Sequence, residues 1–452
     1  MKKIIIFGLS LLICTTIYSQ DSWFVKANGE DRLVRDPKET EILPLKTLQF
    51  AINLIDLSSP KGPIRLIHSD VTKITVIGKI YMDESESGSA LKSVDAAQRF
   101  ITICGKENAL SSEKAIITTR SGRVLSIESN SGTSLKSKFK FENIEISGGI
   151  LTEGRETGGG ILISRADVIL GKGAIVTNNK AAQGGGIGLM LFSTLTIDGG
   201  IITNNSINEN DLGGGIRVFA GSVVMNDGVI SNNSGNGITI NEHGSFEMNG
   251  GSVKNNYMQS RDSTGVTSFG KFTMTGGTIS GNGTGVIIHG GSFIMENWVI
   301  ENNTSTGSAG GVAISEGNFT MKNGTIRNNS TAVIKGRSFL GGGVLVIGGE
   351  FIMQGGIISG NYAIGAGGGI AIINNGKFSL VNGRITNNRS EGSGGGVVVS
   401  EGLFNMTGGE ITGNNDAKAG GGISVINGTF TRNGGNVNGN NAPLFPNIYQ
   451  QN

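Results

Sequence analysis

"FTMTGGTISGN" (Phe272–Asn282) holds a glycine pair, small hydroxyl residues and a terminal Asn, the ingredients of a ligand-binding loop. The chain then says nearly the same thing again: "FEMNGGSVKNN" (Phe246–Asn256), "FIMQGGIISGN" (Phe351–Asn361) and "FNMTGGEITGN" (Phe404–Asn414). Ten copies follow F-x-M-x-G-G-x-I-x-x-N closely, beginning at Leu195, Val223, Phe246, Phe272, Phe293, Phe319, Phe351, Phe378, Phe404 and Phe430. A poorer copy ends at Asn178-Asn179. A phrase repeated this often is a building unit before it is a site.

A second tract, GGG-apolar-x-apolar, lies between the copies. Its first apolar residue falls at Ile161, Ile187, Ile216, Ile238, Val266, Val286, Val312, Val344, Ile370, Val397 and Ile423, at intervals of 20 to 32 residues and mostly about 26. Each unit therefore holds three short segments of period two, such as Phe404-Asn405-Met406, a segment centred on Ile411, and Ile423-Ser424-Val425. Gly or Asn punctuates every junction, and no i, i+3, i+4 pattern runs through the repeats. The pattern predicts an all-β fold: a single right-handed parallel β-helix, or solenoid, with about 26 residues per coil. Coils stacked about 4.8 Å apart make eleven units a rod of roughly 50 Å. Gly supplies 76 of 452 residues and Pro only 6 without a G-X-Y period, which excludes collagen and Pro-rich disorder.

Stacking places Ile/Val, Phe, Met and Ile in separate inward columns. The Met column (Met225, Met248, Met274, Met295, Met321, Met353, Met406) reads as adaptable core filler rather than a metal or redox site. The terminal Asn pairs read as corners, where Asn tolerates left-handed backbone and its amide reaches the next coil.

The ends are assigned separately. Residues 1–20 form a signal peptide, with Lys2 and Lys3 ahead of the apolar run Ile4–Cys14. Lipidation at Cys14 is disfavoured because Ile13 precedes it. Residues 21–60 form an N-terminal cap with a short helix over Leu45–Asp56, where Leu45, Leu48, Ile52 and Ile55 carry a helical period. Residues 61–441 form the β-helix, regular over 158–441, its first coils built from "IRLI", "KITVIGKIYM", "RFITICGK", "KAIITT" and "RVLSIE". In the last unit Arg432 takes the Met slot, as a terminal repeat requires. Residues 442–452 are a capping tail in which Pro443 and Pro446 are expected to stop further pairing. Cys104 alternates with apolar residues and is expected to be buried.

"GGGI" (Gly184–Ile187) and "FEMN" (Phe246–Asn249) are similar in repeat style to the GGA-[ILV] and F-x-x-N motifs of the polymorphic outer-membrane-protein adhesins. More broadly, residues 45–441 resemble the right-handed parallel β-helix proteins of bacterial surfaces. The resemblance implies a secreted or surface-exposed adhesive rod. The chain departs from that family in using GGG for GGA, in keeping F-x-x-N in few units, and in lacking the family's C-terminal membrane β-barrel.

Lys+Arg (37) and Asp+Glu (35) nearly balance, so the chain lacks the basic stripe of a nucleic-acid binder. An alternative function is that of a polysaccharide lyase or glycoside hydrolase, which needs carboxylates on neighbouring coils. The outward positions of the strand after GGG contain neither Asp nor Glu. Glu242, Glu316 and Glu401 follow that strand three coils apart, about 14 Å, which is too far for a dyad. His68, His243 and His289 fall in unrelated places. No G-K-[ST] phosphate loop and no Ca²⁺-binding nonapeptide occur, leaving "NEND" (Asn208–Asp211) as the one loop suited to a cation. No catalytic residue, metal site or cofactor is assigned.

The same outward positions carry large apolar residues: Met190, Phe219, Phe269, Ile347, Ile373 and Ile426, with Leu162, Ile287, Leu345 and Val398 beside them. The segments before GGG vary most in length, from "KAAQ" to "STAVIKGRSFL", and line the same edge. Two readings follow. Either these six residues form a partner-binding face for an extracellular glycan or protein, or for self-association, or the loops fold over them.

Overall fold

The computed structural model describes residues 23–26, 73–77, 79–82, 90–91, 100–105, 114–129, 136–151, 156–207, 213–257, 263–307, 309–332, 339–416 and 418–451. The signal peptide, the helix over Leu45–Asp56, "IRLI", His68 and "NEND" lie outside the described residues. Within them the chain is a parallel β-solenoid. Each coil contributes one strand to each of three faces, and each strand pairs in parallel with its counterpart a coil away.

The sequence repeat is the register. The first residues after the glycines pair in order from Ile161 through Ile187, Ile216, Ile238, Val266, Val286, Val312, Val344, Ile370 and Val397 to Ile423. The Phe positions do the same from Leu195 to Phe430 on the second face. Ile202 to Val437 form the third. Four of the five irregular N-terminal segments join the same faces: Lys73–Ile77 and Ile101–Gly105 the second, Lys79–Tyr81 and Ile116–Thr118 the third, Leu125–Glu128 the first.

Alternation sends every second side chain inward. The Ile/Val, Phe and Met columns are fully buried as far as Val425, Phe404 and Met406. Seven successive Phe pairs from Phe246 to Phe430 stack with ring centroids 4.5 to 5.1 Å apart. That spacing is the coil repeat itself, and each aromatic pair adds about 0.5–1.5 kcal/mol beyond burial. Cys104 is buried and its thiol donates to the Ile74 carbonyl.

The second glycine of F-x-M-x-G-G is explained by the Met of the preceding coil, whose slot in the repeat is three places earlier. At Gly251 and Gly277 the backbone is left-handed, with φ of 75° and 85°, and a Cβ would lie 2.5 Å from the Cε of Met225 and Met248 respectively. The thioether end fills the space that a side chain at the corner would need.

The terminal Asn pairs divide their labour. The first Asn of each pair takes left-handed φ, as at Asn255 (55°) and Asn302 (55°), and Gly281, Gly360, Gly413 and Gly439 take its place in other coils. The second Asn is buried in a continuous amide ladder. From Asn179 through Asn205, Asn233, Asn256, Asn282, Asn303, Asn329, Asn361, Asn388 and Asn414 to Asn440, each Nδ2 donates to the next Oδ1 at 2.9 to 3.1 Å. The second N–H donates to a third-face carbonyl, for example Asn303 to Ile279 at 3.2 Å. Each Oδ1 also accepts the backbone N–H of the preceding Asn, as Asn329 does from Asn303 at 3.1 Å. The third glycine of each GGG makes room for this amide. A Cβ on Gly160, Gly186, Gly237 or Gly285 would lie 2.8 or 2.9 Å from the Nδ2 of Asn179, Asn205, Asn256 or Asn303.

The tail departs from expectation. Ile448–Gln451 adds one more parallel strand to the first face, with Ile448 in register with Ile423. Pro443 and Pro446 do not prevent this, because they precede the strand and so remove no N–H from its ladder. Asn447, between them and the strand, ends the amide ladder by accepting from Asn440 Nδ2 at 3.2 Å.

Candidate functional site

The strand after GGG has two outward positions, and the structure treats them differently. The first is covered in most coils, with Leu162 and Ile287 half-buried. Arg217, Thr239, Thr267, Ala313, Leu345, Ala371, Val398 and Ser424 are all buried. Over the central coils, Ala309, Leu340 and Ala366 from the variable loops fold back onto Ala313, Leu345, Ala371 and Val398 and form a second, external core. The expectation that Leu345 and Val398 face solvent is therefore corrected. Loops too long for a corner cover apolar surface that would otherwise be wet.

The second position is half-buried at all six residues read as a binding face: Met190, Phe219, Phe269, Ile347, Ile373 and Ile426. Ile347 and Ile373 are paired neighbours and both pack against the external core. Ser315 precedes Ile347 in register, and Ser400 separates Ile373 from Ile426, so the six do not form an unbroken strip. Phe269 stacks on His289 at 5.1 Å between ring centroids. Partial desolvation beside that ring pulls the imidazole below its ordinary pKa, although the side chain keeps an exposed edge.

Glu242, Glu316 and Glu401 are exposed at the corner after this strand. Glu316 and Glu401 adopt left-handed φ of 60° and 56°, as do Gly290, Gly348 and Asn427 at the same corner in other coils. The corner geometry places them on separate coils. Among the described residues no group of three His, Cys, Asp or Glu side chains is arranged to hold a metal ion.

Three features went unread in the sequence. The first is the corner Met190–Phe192. Leu189 pairs with Val218 and Ser193 with Gly221, so three residues on one coil face two on the next. The surplus residue throws Leu191 and Phe192 outward, 57% and 70% exposed, with Phe192 at φ 59°. A bulky residue in that region is strained.

The second is Arg217, which follows the corner by one coil. It is 7% exposed, and its Nε and Nη1 are buried with no hydrogen-bond acceptor among the described residues. Its guanidinium lies 5.4 Å from the centroid of the Phe219 ring. Burial lowers its pKa to about 10, so it remains charged at neutral pH. A buried cation without a counter-charge costs several kcal/mol. Arg123, which is half-buried, shows the usual remedy: its Nε and Nη2 donate to Gly158 and Thr157 carbonyls at 3.0 Å. Arg217 was legible only as a polar residue in a mostly apolar or small column.

The third is Trp298, which stands where adjacent coils carry Gly277 and Gly324. It has φ 85° and is 48% exposed. The signal was available, since "ENW" breaks the G-G of the repeat. Left-handed backbone costs an L-residue about 1–2 kcal/mol. Trp298→Gly is expected to raise stability by about 1 kcal/mol after the entropic cost of Gly is subtracted. Urea unfolding of the two proteins checks this, and a destabilised Trp298→Gly variant would contradict the strain argument.

The fold, then, accounts for the columns and corners, while Phe192, Arg217 and Trp298 are held at a cost to stability. Comparison with known proteins adds no assignment: no family model, curated protein or solved structure matches the chain.

Proposed function

We propose that this chain is a secreted or surface-exposed solenoid that acts as a non-catalytic binding scaffold, adhesin-like in role, for an extracellular glycan or protein. One observation carries the reading. A rod whose core residues stack in repeating columns keeps large apolar side chains, Leu191 and Phe192, exposed on a left-handed bulge beside a half-buried apolar row. Strain and exposure that do not serve packing are retained for contact with something else. The repeat style shared with surface adhesins and the signal peptide over residues 1–20 support export and an outward-facing role. The uneven loops before GGG fit the same role, because insertions in solenoids gather on the binding face.

The test is a glycan and protein-partner screen of the secreted protein, scoring binding and polysaccharide depolymerisation together. Phe192→Ser, and the triple variant Phe219→Ser, Phe269→Ser, Ile347→Ser, are expected to lose at least about tenfold in affinity for the ligand found while keeping the β-rich circular dichroism spectrum. Undiminished binding by these folded variants would sink the face, and bond cleavage by the wild type would replace the scaffold with an enzyme.

A further inference from the structure

Arg217 narrows the ligand. It lies on the strand Ile216–Val218, directly paired with Gly188 on one side and Thr239 on the other. Gly188 presents no side chain, and a Cβ there would lie 2.6 Å from Thr157 Oγ1, itself buried without a hydrogen-bond partner. The coil thus sets two unsatisfied groups beside a bare glycine: a guanidinium with two orphan nitrogens and a hydroxyl. Two residues further along the strands come the half-buried Met190 and Phe219, then the exposed Leu191 and Phe192. Each orphan nitrogen shares an edge of the guanidinium with Nη2, and either edge is a fork of N–H donors suited to a planar carboxylate. Buried, it binds such an anion more strongly than a surface Arg does, because water competes less.

We propose that Arg217 is the charge-recognition residue of a subsite for a saccharide bearing a carboxylate, whose apolar ring face rests on Phe192 and Leu191. This rests on the binding-scaffold reading and names its ligand class. A saccharide is favoured over an acidic peptide by the backbone. The strands around Arg217 spend their N–H and C=O groups on the coils above and below, so no free sheet edge is offered to a peptide strand. Recognition must come from side chains, here one cation and two apolar groups.

The experiment titrates the full secreted chain with methyl glucuronide and, separately, with the uncharged methyl glucoside, by calorimetry and by the shift in melting temperature. A hexapeptide of Glu is the third probe. Wild type is expected to bind the glucuronide at least about tenfold more tightly than the glucoside. Arg217→Met is expected to abolish that preference, and Arg217→Lys to recover part of it, since the ammonium keeps the charge but not the fork. Phe192→Ser is expected to weaken both sugars alike. Equal binding of the two sugars by wild type, or a preference that survives Arg217→Met, overturns the subsite. Tighter binding of the peptide than of the glucuronide overturns it in favour of a protein partner. If Arg217→Met leaves every interaction found in the partner screen intact, the subsite is wrong and the scaffold reading stands. If neither sugar nor peptide binds, while the screen also finds no partner, both fail.

Discussion

Asn329→Ala is expected to destabilise the rod by about 2–5 kcal/mol, while Asn328→Gly, one residue away, is expected to stay within about 1 kcal/mol of wild type. The two side chains do unrelated work. Asn329 is fully buried, and its Nδ2 donates to Asn361 Oδ1 at 3.1 Å and to the Ile300 carbonyl at 3.0 Å. Its Oδ1 accepts from Asn303 Nδ2 at 2.9 Å and from Asn303 N at 3.1 Å. Alanine strands two donors of Asn303 and the Ile300 carbonyl in a dry interior, and each orphan costs about 1–3 kcal/mol, partly recovered by relaxation. Asn328 serves only the left-handed corner, at φ 54°, where Gly360 stands one coil later. Urea unfolding followed by circular dichroism measures both. A loss below about 1 kcal/mol at Asn329 would show that water or a shifted neighbour replaces the amide.

The second large effect is at Gly277. Its φ of 85° alone costs an alanine about 1–2 kcal/mol. The new methyl would also lie 2.5 Å from Met248 Cε and 2.7 Å from the Gly251 carbonyl oxygen, and such overpacking costs about 1–3 kcal/mol more. Gly277→Ala is therefore expected to lose about 2–5 kcal/mol in total. Met248→Ala opens a cavity worth about 2–5 kcal/mol. Because the inserted methyl enters the space that Met248 vacates, the double variant is expected to lose about 1 kcal/mol less than the sum. Strict additivity in a double-mutant cycle would mean that the backbone, and not the thioether, decides the glycine.

How far the sequence reads the molecule depends on which kind of position is asked about. Ile161 to Ile423, Phe246 to Phe430 and the Met column were legible because stacked coils force identical environments onto residues about 26 apart. The buried Asn was legible as a ladder for the same reason. That the third glycine of GGG exists to seat that Asn was not, because the two meet across the section of the coil rather than along the chain. Asn447 escaped notice because it completes the ladder from outside the repeat. The candidate site was harder still. Leu345 and Val398 alternate as a surface strand should, yet loops of irregular length cover them, and periodicity says nothing about where a loop folds. Met190 and Phe219 were found as apolar residues at outward positions. Phe192 and Arg217 beside them were not, since one owes its exposure to a register surplus between two coils and the other its interest to a missing partner.

The amide ladder gives the rod a property that its sheets do not. Strand dipoles alternate and largely cancel. The Asn side-chain ladder does not alternate: from Asn179 to Asn414 one N–H of each Nδ2 donates to the Oδ1 of the next coil, every such Oδ1 accepts from the N-terminal side, and only the second N–H turns back to a backbone carbonyl of the preceding coil. Aligned hydrogen bonds polarise one another and strengthen along a chain. The seam is therefore a wire of parallel dipoles buried along the axis, positive toward the C-terminal tip and negative toward the first coils. The two ends of the rod are electrically unlike, even though the coils between them are nearly copies.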